Sequence, residues 1–147
     1  MVSLTEKFFF SRPPSFIEIK QTEDEINSVF NELRDLGKSP VKSIAVAGTP
    51  TSLSCIKQNI QNYSEDKVEG SLLYEEDLNE SIKVFSTKHP DELLALYPEI
   101  LKGREDVMLA GTLILKNLMR ILKLNEITVS AKGIRYGIIA DYILKQK

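Results

Sequence analysis

The strongest constraint in this sequence is a short, mostly apolar segment, residues 41–47, that leads directly into the turn Gly48-Thr49-Pro50-Thr51. The segment has the length and character of a strand that is covered on both faces. Pro50 suits the first turn of a helix, and Thr49 is a suitable cap for that helix. The junction therefore predicts a strand followed by a helix, which is the repeating unit of α/β folds.

A second junction of the same kind lies further along the chain. Residues 126–130 are rich in β-branched side chains, which favours a strand. Gly133 then leads into a helical pattern that should place Ile134, Ile138 and Ile143 inward. Two such junctions in one chain favour parallel strands that are joined by right-handed crossovers.

The other elements are predicted from hydrophobic periodicity and capping signals. Residues 2–9 alternate and then become aromatic, which predicts a strand. A capping-box spacing at residues 22–25 predicts the start of a helix that Gly37 ends. Further helices are expected at residues 78–85, from Pro90 to about residue 97, and from residue 104 to about residue 122. The sequence thus predicts a single α/β domain over residues 1–147, with a mainly parallel sheet flanked by helices.

Composition argues against several classes of protein. The 147 residues are 42% hydrophobic and 27% charged, as in an ordinary globular domain. The net charge of −2 argues against nucleic-acid binding, which usually needs a basic excess. No apolar run approaches the roughly 18 residues of a membrane span. Because Cys55 is the only cysteine, we expect a reducing, cytoplasmic location.

The first junction is a candidate anion site. Gly48 lets the backbone approach a ligand closely, and the first N–H groups of the following helix point towards such a ligand. Thr49 and Thr51 would add hydroxyl donors. The alternative is an ordinary turn in which Thr49 only caps the helix, and such turns are the commoner case.

The second junction places Lys132 and Arg135 at a helix N-terminus, where the helix dipole disfavours positive charge. Either these side chains point into water at a small energetic cost, or a bound anion makes their placement favourable. If the two strands are neighbours, both turns share a crevice at the carboxyl edge of the sheet. The predicted phosphate- or nucleotide-binding residues are Gly48, Thr49, Thr51, Lys132, Gly133 and Arg135.

No set of residues for covalent catalysis is recognisable. Acidic clusters at residues 23–25 and 75–77 lie in predicted first helical turns, where they compensate the helix dipole. His89 is the only histidine and has no neighbouring cysteine, so no metal site is predicted. Cys55 is best explained as a small core residue. We therefore assign no catalytic residue and no metal ligand to this chain.

Five stretches, in the right order, resemble motifs of the exopolyphosphatase/guanosine pentaphosphate phosphatase (Ppx/GppA) family. Residues 3–8 resemble the strand that follows the family's glycine-rich phosphate loop, and residues 44–53 (IAVAGTPTSL) are similar to its strand-GGT-x-T-x-L turn. Residues 69–78 are similar to a loop and helix that come next. Residues 104–111 (REDVMLAG) resemble its Arg-x-Asp-x-x-x-x-Gly helix, and residues 127–137 (ITVSAKGIRYG) resemble its V-S-x-x-G-L-R-E-G element.

The resemblance implies membership of the actin, Hsp70 and sugar-kinase superfamily, in which two RNase H-like domains face a cleft. This chain would be most of the second domain, without the hairpin that carries the D-x-G-G-G-S-x-E loop. The catalytic glutamate would belong to the first domain. Two departures affect the crevice, since Ala47 replaces the first glycine of GGT and Tyr136 replaces a glutamate. The intact enzyme would use Mg²⁺, and this chain alone would bind none.

The resemblance also implies a phosphatase that removes terminal phosphate from inorganic polyphosphate or from guanosine penta- or tetraphosphate. With the N-terminal half of the enzyme as its partner, this chain would form one wall of the phosphate cleft and would be inactive alone. Two alternatives stay open: a non-enzymatic module that binds an anion or a partner, and the nucleotide-binding domain of a kinase relative. An absent hairpin would leave residues 2–9 as an unpaired strand, which predicts a homodimer.

Overall fold

The computed structural model describes residues 1–38 and 42–146, which contain three short strands and a larger number of helices. The strands are β1 (Ile44–Val46), β2 (Leu72–Leu73) and β3 (Ile127–Ser130). The helices are α1 (Val2–Phe8), α2 (Phe16–Val29), a 3₁₀ helix (Phe30–Lys38), α3 (Gly48–Lys57), α4 (Glu65–Val68), α5 (Glu75–Phe85), α6 (Pro90–Leu96), α7 (Pro98–Leu101), α8 (Met108–Leu122) and α9 (Ile134–Leu144). None of these helices is both long enough and apolar enough to cross a membrane.

The sheet is small and mixed, with the strand order β1-β3-β2. β1 and β3 are parallel, with Ile44 opposite Thr128 and Val46 opposite Ser130. β2 runs antiparallel to β3 and places Leu72 opposite Thr128. The α/β class is confirmed. The sheet is mixed and not mainly parallel, because β2 runs antiparallel to β3. β2 was not predicted, because a strand of two residues is too short to show a periodicity in the sequence.

Residues 2–9 do not form the predicted strand, because residues 2–8 of this segment are the helix α1. Thr5 and Phe9 are buried, and Leu4 and Phe8 pack against the core. These four positions share one face of a helix, whereas a strand would point Leu4 and Phe9 to opposite sides. The predicted homodimer loses its basis, because there is no unpaired strand at these residues.

The start of α2 differs from the predicted one. Ser15 caps this helix: its hydroxyl accepts the Glu18 N–H at 3.3 Å, and the Glu18 carboxylate accepts the Ser15 N–H at 2.6 Å. Thr22, in the predicted capping box, is buried inside the helix and donates its hydroxyl to the Glu18 carbonyl oxygen at 2.8 Å. The helix ends at Val29, where the 3₁₀ helix begins, and not at Gly37.

α8 lies in the core, where it packs against α2, α5 and the 3₁₀ helix. It begins at Met108, later than the predicted residue 104, and its fully buried side chains include Leu113. Gly111 is also buried, at the contact between α8 and α3. A Cβ at this position would lie 2.7 Å from Thr49 Oγ1, so the glycine lets the start of α3 lie directly against α8.

α9 forms as predicted, but it does not face the core. Ile134, Ile138 and Ile143, which were predicted to point inward, are 77%, 63% and 53% exposed. A helical apolar pattern indicates that side chains need burial, and it does not indicate which part of a protein buries them. The predicted orientation of α9 is therefore wrong for this chain by itself.

Candidate functional site

The two glycine turns lie side by side at one edge of the sheet. Because β1 and β3 are adjacent and parallel, their carboxyl ends meet there and border a cavity of about 530 Å³. This volume is within the usual range for a small-molecule site. The lining residues are Val46, Ala47, Gly48, Thr51, Ser52, Cys55, Tyr63, Glu99, Ile100, Lys102, Arg104, Ala131, Gly133, Ile134, Arg135 and Tyr136.

The structure brings most of the predicted site residues to this one cavity. Those that line it are Gly48, Thr51, Gly133 and Arg135. Thr49 and Lys132 are not among the lining residues. Thr49 is buried, and its hydroxyl donates to Met1 Sδ at 2.8 Å instead of capping α3. The two turns therefore share a crevice as predicted, although the Thr49 hydroxyl points elsewhere and Lys132 does not line the cavity.

The β1–α3 turn has an unusual backbone conformation. Ala47, which precedes α3, has a φ of 81° and a ψ of −172°, a region that is nearly reserved for glycine. The Thr51 hydroxyl donates to the carbonyl oxygens of Ala47 (3.1 Å) and Gly48 (3.0 Å). Because this proton is already used, the donors that remain for an anion are the first backbone N–H groups of α3.

Arg104 lies over Gly48 and was missed by the predicted list of site residues. Its Nη1 donates to the Gly48 carbonyl oxygen at 3.4 Å and to the Ser52 hydroxyl at 3.3 Å. A Cβ at residue 48 would be only 2.6 Å from the same nitrogen, so the glycine makes room for the guanidinium group. The two residues are 56 positions apart, and no local sequence pattern could have paired them.

The cavity is rich in positive charge. Lys102, Arg104 and Arg135 line it, and Glu99 is the one acidic side chain among the described lining residues. The ion pairs found within residues 1–38 and 42–146 involve none of these three cations. The N-termini of α3 and α9 add partial positive charge at the same place. Such an arrangement is unfavourable in water and becomes favourable when an anion enters the cavity.

The β3–α9 turn already holds an internal carboxylate. Glu69 accepts hydrogen bonds from the Ala131 N–H at 2.7 Å and from the Ser130 hydroxyl at 3.0 Å. Burial tends to raise the pKa of Glu69, but these hydrogen bonds and the charge of Lys132 together hold it below its ordinary value. Lys132 is therefore electrostatically coupled to Glu69, and Arg135 is the cation of this turn that lines the cavity.

The described cavity wall offers no activated nucleophile. Burial raises the pKa of the Cys55 thiol, which keeps the thiol protonated and unreactive. Burial, and then the nearby Glu65 carboxylate, raise the pKa of Tyr63 in the same way. The site can therefore bind and neutralise an anion, but these groups do not equip it to break a bond.

The side chains that line the cavity do not fit a metal ion by themselves. Within the residues that the structure describes, no three His, Cys, Asp or Glu side chains lie close enough together to hold one. Mg²⁺ prefers carboxylate and phosphate oxygens, whereas this cavity is lined mainly by cations and one acid, Glu99. No step in the chemistry of these residues is therefore assigned to a metal.

Comparisons with known proteins identify a family for this chain. The sequence profile of the Ppx/GppA phosphatase family matches residues 1–146. The chain is also 28% identical, over 144 residues, to the bifunctional 3-dehydroquinate synthase/phosphatase of Fusobacterium nucleatum. That match covers 95% of this chain and 21% of the longer protein.

Solved structures show the same relationship. A Ppx/GppA family member from Aquifex aeolicus superposes with a TM-score of 0.92 and 26% identity, over 99% of this chain and 47% of that chain. An exopolyphosphatase from Cytophaga hutchinsonii shares the fold, with a TM-score of 0.77 and 20% identity over 93% of this chain and 45% of that chain. The chain thus spans about half the length of these solved relatives.

Proposed function

The chain belongs to the Ppx/GppA phosphatase family, as its motifs predicted, and on that premise we propose that it forms one wall of a phosphate-binding cleft. The enzyme would remove terminal phosphate from inorganic polyphosphate or from guanosine penta- or tetraphosphate. The observation that supports this most strongly is the group of three cations, Lys102, Arg104 and Arg135, beside two helix N-termini. A chain of phosphoryl groups carries several negative charges, and the three cations together can offset more than one of these charges.

In the proposed mechanism, the residues of this chain bind and orient the substrate. Arg104 and Arg135 donate charge-assisted hydrogen bonds to non-bridging phosphate oxygens, and the first N–H groups of α3 bind a further oxygen. These donors stabilise the charge on the transferred phosphoryl group while water attacks in line with the leaving oxygen. Mg²⁺ would neutralise further substrate charge, and a carboxylate would orient the water; both would be held mainly by the other half of a family-length protein.

The isolated chain should therefore show no phosphatase turnover. Its described cavity residues supply binding groups, and the reactive groups would lie on the partner half. A cytoplasmic location, where the buried thiol of Cys55 stays reduced, is part of this proposal. Turnover by the isolated chain that persists in an Arg135→Ala variant would refute the assignment.

Calorimetric titration with tripolyphosphate tests the binding role directly. We expect Arg104→Gln and Arg135→Gln each to weaken binding roughly ten- to a hundredfold, since a hydrogen bond to a charged group contributes about 1.5–3 kcal/mol. Arg120→Gln is the matched control, because Arg120 is an exposed arginine on α8 that does not line the cavity. Its tripolyphosphate affinity should equal that of the wild type.

The same titration with other ligands separates the alternatives. Guanosine tetraphosphate should compete with tripolyphosphate if the two share the cavity. Selective binding of ATP over other nucleoside triphosphates would instead favour a kinase relative. Tripolyphosphate affinity that is unchanged in both Arg104→Gln and Arg135→Gln would refute the proposed cleft.

A further inference from the structure

A second cavity lies at the C-terminal end of α3, whereas the candidate site lies at the start of that helix. The second cavity has a volume of about 450 Å³, which is also within the usual range for a small-molecule site. The end of α3, one face of α5 and Tyr97 border it. Among the described residues, none lines both cavities. A molecule in the second cavity would therefore be held by a separate set of residues.

The cation in the wall of the second cavity is already neutralised. Lys57 is the one cation among the described lining residues. Its Nζ donates to an Asp77 carboxylate oxygen at 2.7 Å and to the Leu72 carbonyl oxygen at 2.9 Å. The same nitrogen lies 4.4 Å from the centre of the Tyr74 ring, within the range of a cation–π interaction. Because these three groups surround the ammonium group, it is fixed in the wall and does not attract an anion.

The charge that remains at the second cavity is negative. Glu80 lines the cavity, and it takes part in none of the ion pairs found in the described part of the chain. α3 ends at the same cavity, and the C-terminus of a helix carries partial negative charge. Both features favour a positively charged group in the cavity.

The rest of the wall combines apolar side chains with a buried hydroxyl group. Phe85 is buried, and Val84 and Tyr97 pack against the core. Ser81 lines the cavity and is only 8% exposed. The side-chain hydrogen bonds of the described residues include none from the Ser81 hydroxyl, although buried hydroxyl groups usually have a partner. The wall is therefore suited to a ligand with an apolar body and a group that can bond to this hydroxyl.

We propose that the second cavity binds a small organic amine, which is a primary ammonium group on a compact apolar body. The ammonium group pairs with Glu80 near the end of α3, and the apolar body packs against Phe85 and Tyr97. Ser81 supplies a hydrogen bond. This binding is independent of the proposed function, because the cavity shares no described residue with the phosphate cleft.

Two other classes of ligand fit the second cavity less well. Asp77 already accepts hydrogen bonds from Lys57 and from the Tyr74 N–H at 2.8 Å, so Glu80 is the available carboxylate in the described wall. A bare metal ion needs more ligands than this, and no three His, Cys, Asp or Glu side chains of the described residues lie close enough together to hold one. An anionic ligand would meet Glu80 without an unpaired cation to offset it.

Three probes with the same phenolic body and different charges test the proposal. Tyramine carries an ammonium group, tyrosol a hydroxyl group and 4-hydroxyphenylacetate a carboxylate. In titrations of the isotope-labelled chain followed by NMR, tyramine should bind about tenfold or more tightly than tyrosol, and 4-hydroxyphenylacetate should bind most weakly. The amide resonances that shift should belong to residues 56–59 and 80–85, and those of residues 47–52 at the candidate site should stay unchanged.

Four variants assign this binding to named groups. Glu80→Gln should lower the tyramine affinity about tenfold, to that of tyrosol, and leave the tyrosol affinity unchanged. Glu76→Gln is the matched control, because Glu76 is an exposed glutamate on α5 that does not line the cavity. Ser81→Ala should weaken tyramine and tyrosol binding equally, by severalfold. Arg104→Gln, which alters the candidate site, should leave tyramine binding unchanged.

Several outcomes would overturn the proposal. Equal affinities for tyramine and tyrosol, or a Glu80→Gln variant that binds tyramine like the wild type, would mean that no cation is recognised. Shifts confined to residues 47–52 would place the amine in the candidate site, and no shifts at millimolar tyramine would mean that the cavity binds no amine. Because these titrations contain no phosphate ligand, they can fail while the tripolyphosphate titration succeeds, and the reverse.

Discussion

Replacing Ala47 with glycine should stabilise this protein, against the usual effect of an alanine-to-glycine change. Ala47 has a φ of 81° and a ψ of −172°, where a Cβ meets the backbone unfavourably and glycine does not. The Ala47 side chain is exposed, so its methyl group contributes little burial. The family motif also has glycine at this position. The strain therefore has a single source, which the substitution removes.

The expected gain can be worked out from two opposing effects. Backbone held in such a region costs about 1–3 kcal/mol. Glycine also increases the conformational entropy of the unfolded chain, which stabilises the unfolded state by about 0.4–1 kcal/mol. The net increase in the free energy of unfolding is thus about 0.5–2 kcal/mol. For a chain of this size, that corresponds to a rise in Tm of roughly 2–6 °C.

Urea unfolding followed by circular dichroism measures this change. Ala45→Gly is the matched control, because Ala45 lies two positions earlier in the extended strand β1 and should lose about 0.5–1 kcal/mol. The two glycine variants should therefore shift the unfolding midpoint in opposite directions. If Ala47→Gly destabilises the protein as much as Ala45→Gly does, the backbone at residue 47 is not strained and the reasoning fails.

Two further predictions concern the cavity and the N-terminal segment. Gly48→Ala should leave the fold intact but displace the flexible Arg104 guanidinium, and calorimetry should show severalfold weaker tripolyphosphate binding; unchanged affinity would mean that Arg104 does not act from this position. Hydrogen bonds from the Ser11 and Ser15 side chains hold the pKa of Glu18 far below its ordinary value of 4.5. Because the folded pKa is lowered, the stabilisation from Glu18 is complete above about pH 4.5 and is lost as the pH falls further. Glu18→Gln should cost about 1 kcal/mol at pH 7 in urea unfolding, and a cost that does not shrink in acid would contradict this.

The two strand–turn–helix junctions could be predicted because their signals are local. A short apolar run, a glycine turn and a helical pattern follow one another within about 20 residues in each case. The predicted strand at residues 2–9 was wrong because that prediction also used only a local signal. The alternation of Val2 and Leu4 is compatible with a strand, and only the contacts of Leu4, Phe8 and Phe9 with the core decide for a helix.

The candidate site was only partly predictable, because two of its three cations come from a distant segment. Arg135 sits in a turn that the sequence already marked, whereas Lys102 and Arg104 precede α8 and reach the cavity through the tertiary fold. Thr49 was assigned to the site from its position beside Gly48. Its hydroxyl points away because Gly111 brings α8 close enough to bury it, and that contact spans distant parts of the chain.

Three different energetic costs coincide at this one cavity. Ala47 is strained, Arg104 and Arg135 lie beside helix N-termini that repel them, and α9 exposes an apolar surface. Each cost has a different physical origin, so a common structural cause within the chain does not explain their coincidence. Natural proteins retain such costs where function compensates for them, as an anion bound beside the cations would do under the proposed function. The conjunction argues that the cavity is a working site.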